Sequence, residues 1–295
     1  MAKVAIVTVL YNSEKVIEDF MISLNLQTFQ DFILVVVNNN SPDKSLALVK
    51  GMMPRINYNV LIVDLHSNTG VATGNNEGIR IALHNKCDYV LLSNNDIVLE
   101  NDAIEILLRH MDNNVSMAVP KIINYFTSRI WAAGGEFLKF RGVTRHLGSN
   151  SSPSEYNLNR YVNYAPTCFM MIKAEVFSRV GCMDDKYFVY FDDTDFVWRA
   201  TMVKNENLLY VANSIIYHKE SSCTDGELSD FSLYYRSRNA VYFARKFLKK
   251  YFILIILYRV FHYFFKLKRV LNKHQLAIVR KAYKDGFAIT CETIK

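Results

Sequence analysis

Four continuous apolar runs constrain this chain more than anything else in it: VAIVTVL (4–10), FILVVV (32–37), VLIVDL (60–65) and YVLL (89–92). A strand with one wet face alternates apolar and polar residues, whereas a strand covered on both faces has no need to. These runs do not alternate, so they read as strands of a parallel sheet buried on both sides. Helical spacing fills the gaps between them. Val16, Ile17, Phe20 and Leu24 follow a helical period behind a capping Ser13, and Ile104, Leu107, Leu108 and Met111 do so behind Asn101. Strand and helix thus alternate over residues 1–115, which makes a doubly wound α/β half.

Residues 116–244 form a second, looser half. GGEFLKFRGVTRHLGSNSSPSEYN (134–157) reads as hairpins and a mobile loop, CFMMI (168–172) as a strand, and 174–180 as a helix. With 51% hydrophobic and 21% charged residues the composition is that of a globular protein with ample core. Five cysteines (Cys87, Cys168, Cys182, Cys223 and Cys291) form no C-x-x-C pair, which fits a reduced, cytoplasmic compartment. The amino terminus enters the first strand directly and shows no signal-peptide cleavage site.

Charge is divided unevenly. Residues 245–295 carry 13 Lys/Arg against 2 Asp/Glu, while residues 1–244 carry 22 against 26. A nucleic-acid binder would not confine its basic residues to a tail, so no nucleic-acid partner is expected. The tail mixes Phe247, Leu248, Phe252, Ile255, Ile256, Phe261, Phe264 and Phe265 with Lys246, Lys249, Lys250, Arg259, Lys266, Lys268 and Arg269. Its longest uncharged run, Tyr251–Tyr258, has eight residues, against the roughly 20 that a spanning helix needs. Two readings follow: an amphipathic helix lying on an anionic membrane surface, or a helix packed on the preceding domain or on a second subunit of a homo-oligomer.

The chemistry gathers where strands end. Asn38–Ser41 follow the second run, HSNTGVATGNNEGI (66–79) the third and SNNDI (93–97) the fourth, so three polar loops leave one sheet edge, as in a nucleotide pocket. No G-x-G-x-x-G follows the first strand, so this is not the dinucleotide fingerprint. YFVYFDDTDFVWRA (187–200) sets Asp192, Asp193 and Asp195 among aromatics, where unused carboxylates are costly to bury. IIYHKESS (215–222) ends an apolar strand at His218.

In this order, VTVLYNS, VVVNNNSPD, NTGVATGNNEGI, SNNDI, FMMIKAEVFSRVGCMDDKYFVYFDDTDFVWR and YYRSRNAVYFARK make residues 3–245 resemble a family 2 glycosyltransferase of the GT-A fold, nearest to rhamnosyltransferase-like members of bacterial polysaccharide assembly. The resemblance implies an α/β fold with a Rossmann-like, mostly parallel central sheet, flanking helices and a C-terminal helical tail. It implies an inverting, metal-dependent transfer from a UDP- or dTDP-linked sugar to a glycan or lipid-linked glycan, at the inner face of the cell membrane. Tyr11, Asn12, Asn38, Asn68, Gly70, Asn76, Asn94 and Asn95 then line the donor pocket. NND stands at the D-x-D motif, Asp96 and His218 hold Mn²⁺ or Mg²⁺, and Asp193 is the general base. Asp192, Asp195 and Arg199 support it or meet the acceptor. Two positions depart from the family pattern: Asn94 replaces the first acid of D-x-D, and Asn38 replaces the acid that faces the nucleoside. The alternatives are a non-catalytic nucleotide-binding scaffold and a sugar nucleotidylyltransferase. The latter should carry a Gly-rich basic loop after the first strand, where LYNSEK stands instead.

Overall fold

The computed structural model describes residues 3–219, 228–262, 264–265 and 268–291. Its first half is β1 (Val4–Leu10), α1 (Ile17–Asn25), β2 (Phe32–Asn38), α2 (Ser45–Met52), β3 (Asn59–Asp64), α3 (Gly70–His84) and β4 (Tyr89–Ser93). The short strand β5 (Ile97–Leu99) and α4 (Ala103–Arg109) complete it. β1 pairs in parallel with both β2 and β4, and β3 lies in parallel outside β2.

Alternate residues of these strands feed two cores. Ala5, Val7, Val35, Val37, Val90 and Leu92 pack under α3, while Val4, Ile6, Leu34, Val36 and Leu91 pack under α1 and α4. Coverage on both faces is why the runs carry no polar alternation. β3 departs from that expectation. It is the edge strand and only half-buried, so its apolar run reflects one covered face.

The caps differ too. Ser13 receives the first helical N–H groups, from Val16 and Ile17, through its backbone carbonyl, and its hydroxyl turns back to Tyr11. The helix behind Asn101 starts at Ala103, and the Asn101 carbonyl is taken by Thr28 instead.

The second half adds β6 (Met117–Asn124), β7 (Ile130–Ala132), β8 (Gly135–Leu138), β9 (Val143–His146), β10 (Arg160–Val162), β11 (Phe169–Lys173), α5 (Val176–Val180), α6 (Asp192–Trp198) and β12 (Leu208–His218). β11 runs antiparallel to β4 and to β6, and β12 lies in parallel beside β6. One sheet therefore crosses the 115/116 boundary. Stretch 134–157 is the β8–β9 hairpin followed by a 3-10 turn, Pro153–Glu155, closed by a Ser152–Glu155 capping box.

The tail comprises α7 (Asp230–Phe247), α8 (Phe252–His262), the single turn α9 (Lys268–Val270) and α10 (Lys273–Ala288). The 244/245 boundary thus falls inside α7. α10 packs along α7: His274 Nε2 meets Asp230 Oδ2 at 2.9 Å, and Arg245 Nη1 donates to the carbonyls of Phe287 and Ile289. α10 is thus a helix packed on α7. The expected lipid-facing set also needs correction, because Leu248 and Ile255 are buried and Phe247 and Phe252 pack against the core. Lys246 is enclosed in ion pairs, and the Nε and Nη2 atoms of Arg259 are buried. Periodicity had located an amphipathic helix but not which of its faces points outward. Of the cysteines, Cys87, Cys168, Cys182 and Cys291 are free thiols, and Cys223 lies outside the described residues.

Candidate active site

The turn between β4 and β5 presents SNND at the carboxyl edge of the sheet. Asn94 is exposed, with its N–H donating to the Cys168 carbonyl at the start of β11. Asn95 points inward and its Nδ2 donates to the Val9 carbonyl at 2.9 Å. It is a tie between β4 and β1 rather than a group open to the donor. β5 then pairs antiparallel with the end of β12, with Ile97 opposite His218, and the Lys219 N–H donates to the Asp96 carbonyl. That pairing brings together residues 122 positions apart in the chain: His218 Nε2 lies 3.2 Å from Asp96 Oδ1, both side chains buried.

Among the described residues neither imidazole nitrogen has a hydrogen-bond partner, although buried polar atoms nearly always do. A carboxylate beside such an imidazole fits a divalent cation taking oxygen and nitrogen ligands. Among the described residues no third His, Cys, Asp or Glu joins the pair. The remaining ligands would have to come from diphosphate oxygens, water or the Asn94 amide.

The other loops at this sheet edge are knitted by amides. Asn39 is buried; its Nδ2 donates to Asn68 Oδ1, and its Oδ1 accepts from the Thr69 N–H and hydroxyl. Asn12 takes a left-handed conformation after Tyr11 at the end of β1, and its N–H donates to Ser41 Oγ. Gly70 has φ +84°, and a Cβ there would strike the Phe188 carbonyl, which accepts the Val71 N–H at 2.6 Å. Asn76 is spent on structure, since its amide both donates to and accepts from the Met183 backbone. Asn38 Nδ2 donates to Asp64 Oδ1 at 2.7 Å. An acid therefore stands at this edge after all, one strand over at the end of β3.

A strained segment leads into α6. Phe188, at φ 65° and ψ −59°, centres a γ-turn closed by Val189 N–H to Tyr187 O, and Tyr190 and Phe191 also have positive φ. Asn239 on α7 holds the segment, its Nδ2 lying within 2.9 Å of the Tyr187, Val189 and Tyr190 carbonyls. The acids that follow have separate environments. Asp193 is half-buried; its Oδ2 accepts from the Tyr164 hydroxyl at 2.7 Å and its Oδ1 from the Thr194 N–H. Asp195 is fully buried between Arg199 Nε at 2.7 Å, Lys246 Nζ at 2.5 Å and the Tyr187 hydroxyl at 3.0 Å. Arg199 also donates to the Val180 and Cys182 carbonyls, so Asp195 and Arg199 form an internal brace and do not reach an acceptor.

Asp192 is buried without such a partner. Desolvation, then the neighbouring Asp193 charge, pushes its carboxyl up to about 8. Between the unfolded value of 3.8 and that folded value the native chain holds a proton that the unfolded chain has released. The stability from this group is therefore complete below the lower value and lost as pH rises through the higher one. Asp192→Asn, neutral throughout, should gain in melting temperature relative to the parent as pH rises from about 4 to about 8. Parallel melting curves across that range would refute the assignment.

A continuous wall joins the acids to the metal-type pair. Trp131 on β7 packs edge-on against His218, with ring centroids 4.7 Å apart, and against His146 on β9 at 4.4 Å. His146 stacks with Tyr164 at 6.2 Å, and Tyr164 holds Asp193. The Cys168 thiol is raised well above its usual value by burial and by the charges of both Asp96 and Asp193. A depression of about 470 Å³ at the opposite end of the strands, lined by Lys3, Asp31, Tyr58 and Asn59, brings none of these groups together.

A family model described as Glycosyl transferase family 2 matches residues 5–181. The chain belongs to glycosyl transferase family 2. The matched span includes Asp96, while Asp193 and His218 lie beyond it. Over 151 residues the chain is 28% identical to the low-salt glycan biosynthesis hexosyltransferase Agl10 of Haloferax volcanii, covering 50% of this chain and 47% of that one. It is 25% identical to the dTDP-rhamnosyl transferase RfbF of Shigella flexneri over 142 residues, covering 48% and 46%. The chain thus spans about half the length of these two curated relatives. S. aureus TarS 1–349 in complex with UDP-GlcNAc superimposes with a TM-score of 0.62 at 15% identity, over 97% of this chain and 80% of that one. The fold is the GT-A fold of this family, with helices added at the carboxyl end.

Within the family 2 frame, sequence reasoning missed Asn39, Asp64, Trp131, His146, Tyr164 and Asn239. Asn39 and Asn239 lie in motifs that carried the resemblance, yet nothing in a run of amides says which one is buried. Trp131, His146 and Tyr164 come from short separate strands and loops that only the folded sheet assembles.

Proposed function

We propose that this chain transfers a sugar from a pyrimidine nucleoside diphosphate sugar to a hydroxyl of a glycan or lipid-linked glycan, with inversion at the anomeric carbon. The observation that carries the proposal is a single wall bearing a buried carboxylate–imidazole pair at one end and a hydrogen-bonded carboxylate at the other. A divalent metal held by Asp96 and His218 would supply Lewis-acid stabilisation of charge on the departing diphosphate. Asp193 accepts the proton of the acceptor hydroxyl while that oxygen forms the new bond to the anomeric carbon. The bond to the diphosphate breaks on the opposite face, and the nucleoside diphosphate leaves. Tyr164, donating to Oδ2, holds Asp193 in place and oriented. Asp64 and Asn38, side by side, offer an acceptor and an amide to a pyrimidine edge, which restores the charge that Asn38 alone would lack.

UDP-linked hexoses and dTDP-rhamnose are the donors to test, because TarS was solved with UDP-GlcNAc and RfbF is named for dTDP-rhamnose. Release of nucleoside diphosphate from that panel with Mn²⁺ or Mg²⁺, raised by a glycan acceptor, is the expected result. Binding of UDP or dTDP without turnover of any donor would favour the scaffold reading. Asp96→Ala should abolish the Mn²⁺-dependent part of nucleoside diphosphate affinity, and His218→Ala should weaken it less. Titration calorimetry with and without Mn²⁺ measures both, and unchanged metal dependence in Asp96→Ala would remove the pair from the donor site.

A further inference from the structure

We infer that the outward face of α8 docks on an anionic lipid bilayer. α8 has two apolar faces, and among the described residues only one is covered by the fold. On the inner face Ile255 is fully buried over Gly142, whose φ of +63° turns the β8–β9 hairpin and whose missing Cβ admits the side chain. Tyr251, just before α8, packs edge-on against Phe140 of the same turn at 4.9 Å. On the outer face Leu254, Leu257, Val260 and Phe261, continued by Phe264 and Phe265, are 48–60% exposed. Steps of three and four residues place them on one stripe. Phe261 and Phe265 stack on each other at 4.4 Å. An apolar surface of this extent marks an interaction site rather than ordinary solvent-facing surface.

Charge selects the partner. Lys249 and Lys250 stand exposed before the stripe, and Lys268 and Arg269 after it. Lys268 Nζ lies 5.8 Å over the Phe264 ring. No Asp or Glu occurs between Asp230 and Asp285. A second copy seated on this face would bring two acid-free, basic segments together, whereas anionic headgroups neutralise them and the acyl boundary receives the rings. α8 has 11 residues, and no helix among the described residues is long and apolar enough to cross a membrane, so the mode is docking on the surface. The hairpin under α8 carries His146 of the site wall. If the proposed transfer is correct, docking holds that wall near a lipid-linked acceptor, but the binding itself does not depend on that reading.

Co-sedimentation of the full chain with phosphatidylcholine vesicles, with and without phosphatidylglycerol, tests the inference. Binding should require phosphatidylglycerol and weaken as salt is raised. Leu257→Glu/Phe261→Glu should lose at least about tenfold in vesicle affinity with melting temperature and nucleotide binding unchanged. Lys249→Glu/Lys250→Glu, which alters only exposed side chains, should lose about fivefold or more per lysine, and it decides the matter if the first variant misfolds. Parent protein that ignores phosphatidylglycerol, or a lysine variant that binds as the parent does, would overturn the inference. So would a dimer in sedimentation velocity that Leu257→Glu/Phe261→Glu dissociates while vesicles stay unbound, since the occupant would then be a second copy.

Discussion

Asp193→Asn should retain nucleoside diphosphate binding and lose about 10²- to 10⁴-fold in turnover, the usual effect of removing a positioned general base. The amide keeps the size of the side chain, and its oxygen can still accept from Tyr164 or Thr194, so the segment stays in place while the basic oxygen is gone. The loss should appear in kcat and leave the donor KM nearly unchanged, because in the proposed transfer Asp193 takes the acceptor proton and does not touch the diphosphate. Asp192→Asn makes the internal control. Asp192 is buried and held neutral by desolvation and by the Asp193 charge, so replacing its carboxyl with an amide should change turnover far less. If Asp192→Asn is inactive and Asp193→Asn turns over normally, the assignment is off by one residue.

Lys246→Met should destabilise the fold by about 3–5 kcal/mol, the range for breaking a buried ion pair by removing one partner. Lys246 Nζ lies 2.6 Å from Asp184 Oδ2 and 2.5 Å from Asp195 Oδ2, and all three groups are largely or wholly buried. Burial opposes ionisation of Asp184, but Lys246, joined by the Tyr242 hydroxyl and the Lys186 N–H, more than offsets it and holds the carboxyl below its usual range. Methionine fills the space and leaves both carboxylates without their shared cation. Asp195 retains Arg199; Asp184 retains only hydroxyl and backbone donors, among them Tyr242. A melting temperature lower by roughly 10 °C is expected. The deficit should shrink as pH falls below about 3.8, where the parent in turn loses the ion pair as Asp184 takes up a proton. An unchanged melting temperature with weakened vesicle binding would instead return Lys246 to the lipid-facing set.

These two residues show where sequence reasoning stops. Asp193 could be singled out because FDDTDF has a motif's spacing, and three acids among aromatics demand an explanation. Lys246 looked like one more cation in a basic, aromatic tail. Its neighbours in space, Asp184 and Asp195, lie some 50 to 60 residues earlier in the chain, and no local pattern encodes that contact. Asn76 and Asn95 make the complementary case. Each sits in a polar loop at the correct sheet edge, yet their amides are used on Met183 and Val9. An Asn beside a pocket and an Asn facing into it have the same sequence signature.

The sequence by itself determined the alternation of strands and helices, the sheet edge that carries the polar loops, the likeness to the family and the amphipathic nature of the tail. Those properties follow from periodicity and turn chemistry, which act over a few residues. Only the tertiary structure decided which polar groups face one another. The antiparallel pairing of β5 with the end of β12 sets His218 against Asp96, and the wall from Trp131 to Tyr164 joins that pair to Asp193. It also decided that Asp64 stands beside Asn38, that Asp195 and Arg199 brace the interior, and which stripe of α8 remains uncovered. Each of these depends on contacts between distant segments, whose register is set by how the two cores fill and not by any residue's near neighbours.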